Sequence, residues 1–169
     1  MKMRTLRRFL LSLVLAPGAL QAKEPPQVLP VEAQWCLPNR QCIQLEVADE
    51  PQEQAMGLQL RGPLPPLRGM WFPYDQPQVL KFWMHRTPQP LDMVFINDNR
   101  VIAIEEAATP CPRLPCRSYG PNAPGDGVVE LAAGEARRLG IVVGSEAVIR
   151  PLRPSSLAPA ARPAAPARD

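Results

Sequence analysis

Apolar and polar residues alternate over short stretches for most of this chain, and a period of two marks half-buried strands. Val31–Cys36 and Gln41–Val47 form the first such case, a hairpin flanking the loop between Cys36 and Cys42, with Ile43, Leu45 and Val47 alternating against Gln44 and Glu46. The same pattern predicts strands at Gly69–Phe72, Val79–Met84, Asp92–Ile96, Val101–Glu105, Val128–Leu131 and Glu146–Arg150. Two short helices interrupt them. One is capped by Asp49, with Pro51 in its first turn, where a missing amide hydrogen costs little, and it is weakened at Gly57 and ended by Gly62. The other runs from about Ala133 to Leu139 and stops at Gly140, a good left-handed end position. The expectation is a mainly β fold with short helices (α+β), compact, single-domain and barrel-like, because closing the sheet hides strand edges that invite aggregation.

The ends of the chain read differently. A basic start with Lys2, Arg4, Arg7 and Arg8 precedes the apolar run Phe9–Ala16, a Pro17-Gly18 break and a cleavage point after Ala22. This is the pattern of an export signal over residues 1–22, too short an apolar run for a mature spanning helix. Arg7-Arg8 lacks twin-arginine spacing and no cysteine stands at the cleavage point to carry a lipid. General secretion to the periplasm or the outside is expected, with no stable membrane insertion once the signal is removed. Residues 23–30, with Pro25, Pro26 and Pro30, read as an extended linker to a β-rich body over residues 31–150. Residues 151–169 hold five prolines and six alanines with almost no large apolar side chain, and read as a disordered tail that cannot offset its ordering entropy.

Charge changes the picture once the ends are set aside. The 169 residues carry a formal +3, but the four basic residues of the signal have no acidic neighbour, and without residues 1–22 the balance is −1. Arg150, Arg153, Arg162 and Arg168 make the far end basic as well, so the body between is net acidic. A nucleic-acid-binding body needs a basic face, and no such partner is expected.

All four cysteines follow the signal, as Cys36 and Cys42 and as Cys111 and Cys116. An even count in an exported chain points to disulfides. Three connectivities are possible. The turn-forming Leu37–Gln41 segment and the stiffening Pro112 and Pro115 favour the two local pairs. A four-cysteine zinc site is the weaker alternative, since its ligands usually stand closer in sequence. No metal and no cofactor is expected.

Candidate chemistry centres on Leu80–Ile96. In a strand, Leu80, Phe82 and Met84 share one face and Lys81, Trp83 and His85 the other. Trp83, flanked by a cation and an imidazole, suits a platform for a sugar or another flat ligand; the weightier reading packs it beneath the Pro88–Pro90 loop. Asp92 is expected to accept backbone hydrogen bonds from the turn, with a general base or ligand anchor as the functional alternative. Glu130 interrupts the apolar run Val128–Leu131 and needs a partner if buried; a structural salt bridge to Arg86 or Arg117 is the ordinary expectation.

Gly57-Leu58, Gly69-Met70, Phe82-Trp83-Met84 with Thr87 and Pro90-Leu91-Asp92, Cys111 and Cys116 with Tyr119, and Val129-Glu130-Leu131 with Gly134 and Gly144 occur in that order. In this the chain resembles the family known as domain of unknown function 192, over about residues 31–150. The resemblance implies a compact β-rich fold, often exported from bacteria, with no established activity, cofactor or substrate. At His85-Arg86 the family more often has lysine and asparagine, so a role built on His85 is particular to this chain.

Three function classes follow. The first is a monomeric small-molecule or glycan binding or accessory module using Trp83, Asp92, Glu130 and His85. The second is a carboxylate-dependent hydrolase pairing Asp92 with Glu130. The third is a periplasmic copper-handling protein using Met70, Met84, Met93, His85 and Trp83 as soft ligands or their neighbours. No nucleophile elbow, phosphate loop or HExxH helix occurs, and no enzyme class is assigned.

Overall fold

A disulfide between Cys36 and Cys42 closes the tip of the first hairpin, made of β1 (Val31–Cys36) and β2 (Cys42–Val47). This computed structural model describes residues 25–152; the expected signal over residues 1–22 and most of the expected tail lie outside that range. After β2 the chain passes through α1 (Pro51–Met56) and returns as the long β3 (Arg68–Val79), parallel to β2. The cap of α1 is Glu50, one residue beyond the expected Asp49, and forms a reciprocal capping box with Glu53. Then come β4 (Phe82–Trp83), β5 (Leu91–Asn97), β6 (Arg100–Ala108), β7 (Ser118–Tyr119), β8 (Pro124–Ala132), α2 (Glu135–Arg138) and β9 (Ile149–Pro151).

Seven strands form one sheet in the order β6-β5-β8-β3-β2-β1-β9, and β4 pairs with β7 in a small second sheet. The fold is mainly β with two short helices, but it is not the expected barrel. The outer strands β6 and β9 stay unpaired with each other. The segment before β9 reaches β6 only through an isolated Arg100–Glu146 bridge and adjacent loop hydrogen bonds, so no continuous ladder joins the edges.

The sheet buries both faces. On one, Trp35, Ile43, Leu45, Val94, Ile96, Val129 and Leu131 pack with Ala136 and Leu139 around α2. On the other, Met70, Phe72, Met93, Phe95 and Val128 pack with Leu58, Leu64, Met84 and Tyr119. The largely apolar sequence of β5 and of the second half of β8, broken by Asp92 and Glu130, follows from this double burial, as central strands have no solvent side. The proline-rich lead-in is tied to the body: Gln27 Nε2 donates to the carbonyls of Glu53 and Gly57, and the Leu29 amide donates to Glu46. At the other end, Pro151 pairs with Ala33 and the Leu152 amide donates to the Glu32 carbonyl.

Asp92 holds the centre of one face. Between Leu91 and Met93 the β5–β6 ladder slips, and Ala107 lies in left-handed backbone at φ 49°. One Asp92 oxygen accepts from the Ala107 amide at 2.9 Å and the other from the Ala136 amide of α2 at 3.0 Å. A single buried carboxylate thus satisfies a bulge and docks a helix. Asp92→Asn replaces one acceptor with a donor that meets an amide hydrogen. It should cost about 2–3 kcal/mol in urea unfolding; a loss within experimental error would show that these bonds are not structural.

Candidate functional site

The short β4 strand is anchored from below. The Phe82 ring stands edge-on to Phe72 at 5.0 Å and to Phe95 at 6.1 Å, and this fixes its neighbour Trp83 on the outward side. The alternation expected over residues 80–85 holds, with Leu80 and Met84 buried and Lys81 exposed, although the regular strand covers only Phe82–Trp83. Trp83 is 52% exposed, so it does not lie beneath the Pro88–Pro90 loop as packed core. On its flank β7 pairs with β4, and the Cys111–Cys116 disulfide staples the loop that leads into β7. The Cys111 amide donates to the Met84 carbonyl, and the Thr109 amide donates to the Tyr119 hydroxyl.

Below Trp83 lies a cleft of about 30 Å³, walled by Gln54 to Gln59 at the end of α1, by Phe72 and Phe82, and by Glu130. That is room for a water or two, or for one small polar group. Gly57 turns the chain away from α1 at φ 48°, a conformation that suits glycine, and its missing side chain leaves the Phe72 ring 3.4 Å from where a Cβ would stand. Past the shared Ala55, Met56 and Gln59, the surface opens into a groove of about 560 Å³ lined also by Gln27, Gln52, Glu53 and Arg86.

Glu130 is 4% exposed, and among the described residues no hydrogen bond or ion pair reaches its carboxyl. The expected salt bridge is not formed: Arg117 lies over the Tyr119 ring at 4.7 Å, and Arg86 lines the groove outside. Burial pushes the Glu130 carboxyl up to about 8, so it is protonated at neutral pH. The Tyr74 phenol is also raised, first by its own burial and then by the Glu130 charge.

The structure brings Trp83 and Glu130 to one cleft and leaves the other two candidates outside it. Asp92 faces the opposite side of the sheet, as strand alternation requires, since its neighbour Met93 pairs with Glu130. The half-buried His85 stands beside Trp83 with ring centres 5.7 Å apart, but does not line the cleft. Sequence reasoning missed Gln54, Gln59 and Phe72 as walls, because nothing local marks the end of α1 as lying over β8. It also passed over Glu46, a buried acid held by Arg61 at 2.7 and 3.0 Å.

The family model DUF192, "Uncharacterized ACR", matches residues 35–149. The chain belongs to this family. Among solved structures, this DUF192 chain is similar to a protein of unknown function from Novosphingobium aromaticivorans DSM 12444. That likeness has 31% identity and a TM-score of 0.62, covering 75% of this chain and 93% of the other. It is also similar to a Sinorhizobium meliloti 1021 protein described as a candidate transcription regulator. There the identity is 28% and the TM-score 0.60, covering 71% of this chain and 92% of the other. No curated protein matches the sequence.

The raised pKa of Glu130 fixes the sign of a pH effect on stability. Between its ordinary 4.5 and about 8 the folded protein holds a proton that the unfolded chain gives up. Stability therefore falls across that window, by up to about tenfold in the folding equilibrium per pH unit, and this contribution is flat below and above it. Glu130→Gln should lack this slope, so urea unfolding of the two proteins at pH 5, 6.5 and 8.5 should diverge as pH rises. Parallel profiles would mean that Glu130 is ionised throughout.

Proposed function

We propose that this DUF192 protein is a small-molecule or glycan binding module, with the Trp83 indole as platform and Glu130 at the floor of the cleft beneath it. The observation that carries the reading is the meeting, in one cleft, of a half-exposed tryptophan and a buried acid without a partner among the described residues. A chain does not keep such a pair for stability: an exposed indole forgoes burial, and an unpaired buried acid costs free energy. The cleft is too small for a sugar ring. The ring or chain of the ligand lies on Trp83 and along the amide-lined groove, and one substituent enters.

Two disulfides support an exported setting, periplasmic or extracellular, for this binding; no helix among the described residues is long and apolar enough to cross a membrane. The other two readings gain no support. Asp92 and Glu130 face opposite sides of the sheet, so they do not flank one substrate bond. Met70, Met84 and Met93 are buried in the core, and none of them lines the cleft.

Trp83→Ala tests the proposal. Retention on a glycan and amino-sugar array should fall about tenfold or more, with the melting temperature close to that of the unsubstituted protein, since only a half-exposed ring is lost. Unchanged retention, or no retention of the unsubstituted protein on any member, would overturn it.

A further inference from the structure

One cross-strand row on the site face reads Glu46, Met70, Glu130, Met93 and Glu105, across β2, β3, β8, β5 and β6. Its three acids are treated differently. Glu46 is held by Arg61, by the Leu29 amide and by Arg68 at 3.9 Å; Glu105 accepts from the Gly120 amide at 3.2 Å. Glu130, the most central, has no partner among the described residues. The fold supplies counter-groups for the acids on either side and leaves the one under Trp83 without.

The cleft itself offers Glu130 nothing in exchange. Among the described residues Glu130 is the only ionisable one in its lining, and the Gln54 and Gln59 amide nitrogens already donate to the carbonyls of Pro73 and Ala55. What remains is an acid at the floor, apolar aromatic walls and an indole at the mouth. An aromatic face and a carboxylate attract the same ligand, a compact cation with hydrogens to donate. A guanidinium is broad and planar, whereas an alkylammonium is a compact point charge on a thin stem, and the small cleft admits the second.

We infer that the group entering the cleft is a protonated primary amine, which contacts the Trp83 indole and donates its hydrogens to the Glu130 carboxylate. This deepens the binding-module reading and rests on it. The exchange balances: the free protein holds a carboxylic acid, the amine arrives as an ammonium, the carboxyl O–H bond breaks, and its proton leaves to solvent as the ion pair forms. Burial keeps Glu130 of the free protein protonated near neutrality, so each binding event releases up to one proton. Tyr74 on β3 is the other titratable group that senses Glu130; the neighbours from β5, β4 and α1 are Met93, Phe82, Trp83, Gln54 and Gln59, none of them titratable. Glu53, His85 and Arg86 stand outside, in the groove or beside the indole.

An amine has two simple sources, an amino sugar and an aliphatic polyamine. Calorimetry with a β-1,4-glucosamine tetramer, its fully N-acetylated counterpart and 1,5-diaminopentane separates them, at pH 6 and 7 and in buffers of different ionisation heat. At least one amine should bind, tighter at pH 7 than at pH 6 by up to tenfold, with net proton release. The N-acetylated tetramer should bind at least tenfold more weakly than the free tetramer if the source is a sugar. Glu130→Gln should lose tenfold or more for the amine and release no proton; the release from the unsubstituted protein is a readout that needs no variant. Binding of the N-acetylated tetramer as tight as that of the amine, sensitive to Trp83→Ala and without proton release, would overturn the amine inference while the binding module stands. Absence of binding by all three ligands overturns the amine inference, and the array result then decides the module separately.

Discussion

Two acids lie in the two strands that the sheet buries on both faces, and the structure depends on how each is satisfied. A strand with no solvent side must find every polar atom a partner inside the protein. Asp92 meets that demand with two backbone amides, one from the β6 bulge and one from α2. Through it the left-handed residue Ala107 and the docking of α2 become consequences of one carboxylate. Glu130 sits a single strand away, on the other face, and its carboxyl lines the cleft with no partner among the described residues. The same central position that makes Asp92 a structural keystone makes Glu130 a reserve of unused hydrogen bonding.

The contrast explains where the two helices sit. Helix α2 is docked on its face by the Ala136 amide, which donates to Asp92, and the bonds from Arg138 and from the Leu67 amide hold the Glu135 carboxyl below the usual range. Helix α1 has no buried residue of its own and ends at Gly57 above Phe72. A helix that buries nothing is positioned by its ends, here by the capping box, by Gln27 and by the Gln54 amide on Pro73. The face it covers is therefore left with a gap, and the gap is the cleft.

Much of this is legible in the amino-acid sequence. Alternation over residues 80–85 assigns Trp83 outward and Phe82 inward, because period-two side-chain geometry survives even where the ladder is only two residues long. Loop composition pairs the cysteines correctly. The lone acid in Val128–Leu131 stands out on sight. What local pattern hides is non-local. Nothing in β2 or β3 announces that they run parallel, or that β8 inserts between β3 and β5, so neither the open sheet nor the neighbours of Glu130 follow from it. Treating Asp92 and Glu130 as one site fails for the same reason: each is an acid in an apolar strand, and the register alone places them on opposite faces.

Register also sets what the cleft can discriminate. Met70 and Met93 flank Glu130 on both sides within the sheet, and the cleft over the carboxyl is lined by Phe82, Trp83 and the end of α1. A ligand group must shed its water to arrive there, and a neutral hydroxyl gains little from the exchange, since it swaps one hydrogen bond for another. A cation is desolvated at greater cost, but once the carboxyl has given up its proton it meets a full charge and a π face in a low-dielectric setting, where both interactions strengthen. On the proposed reading the geometry favours ligands by charge at the entering group and leaves the rest of the molecule to the open groove along Gln27, Gln52 and Glu53.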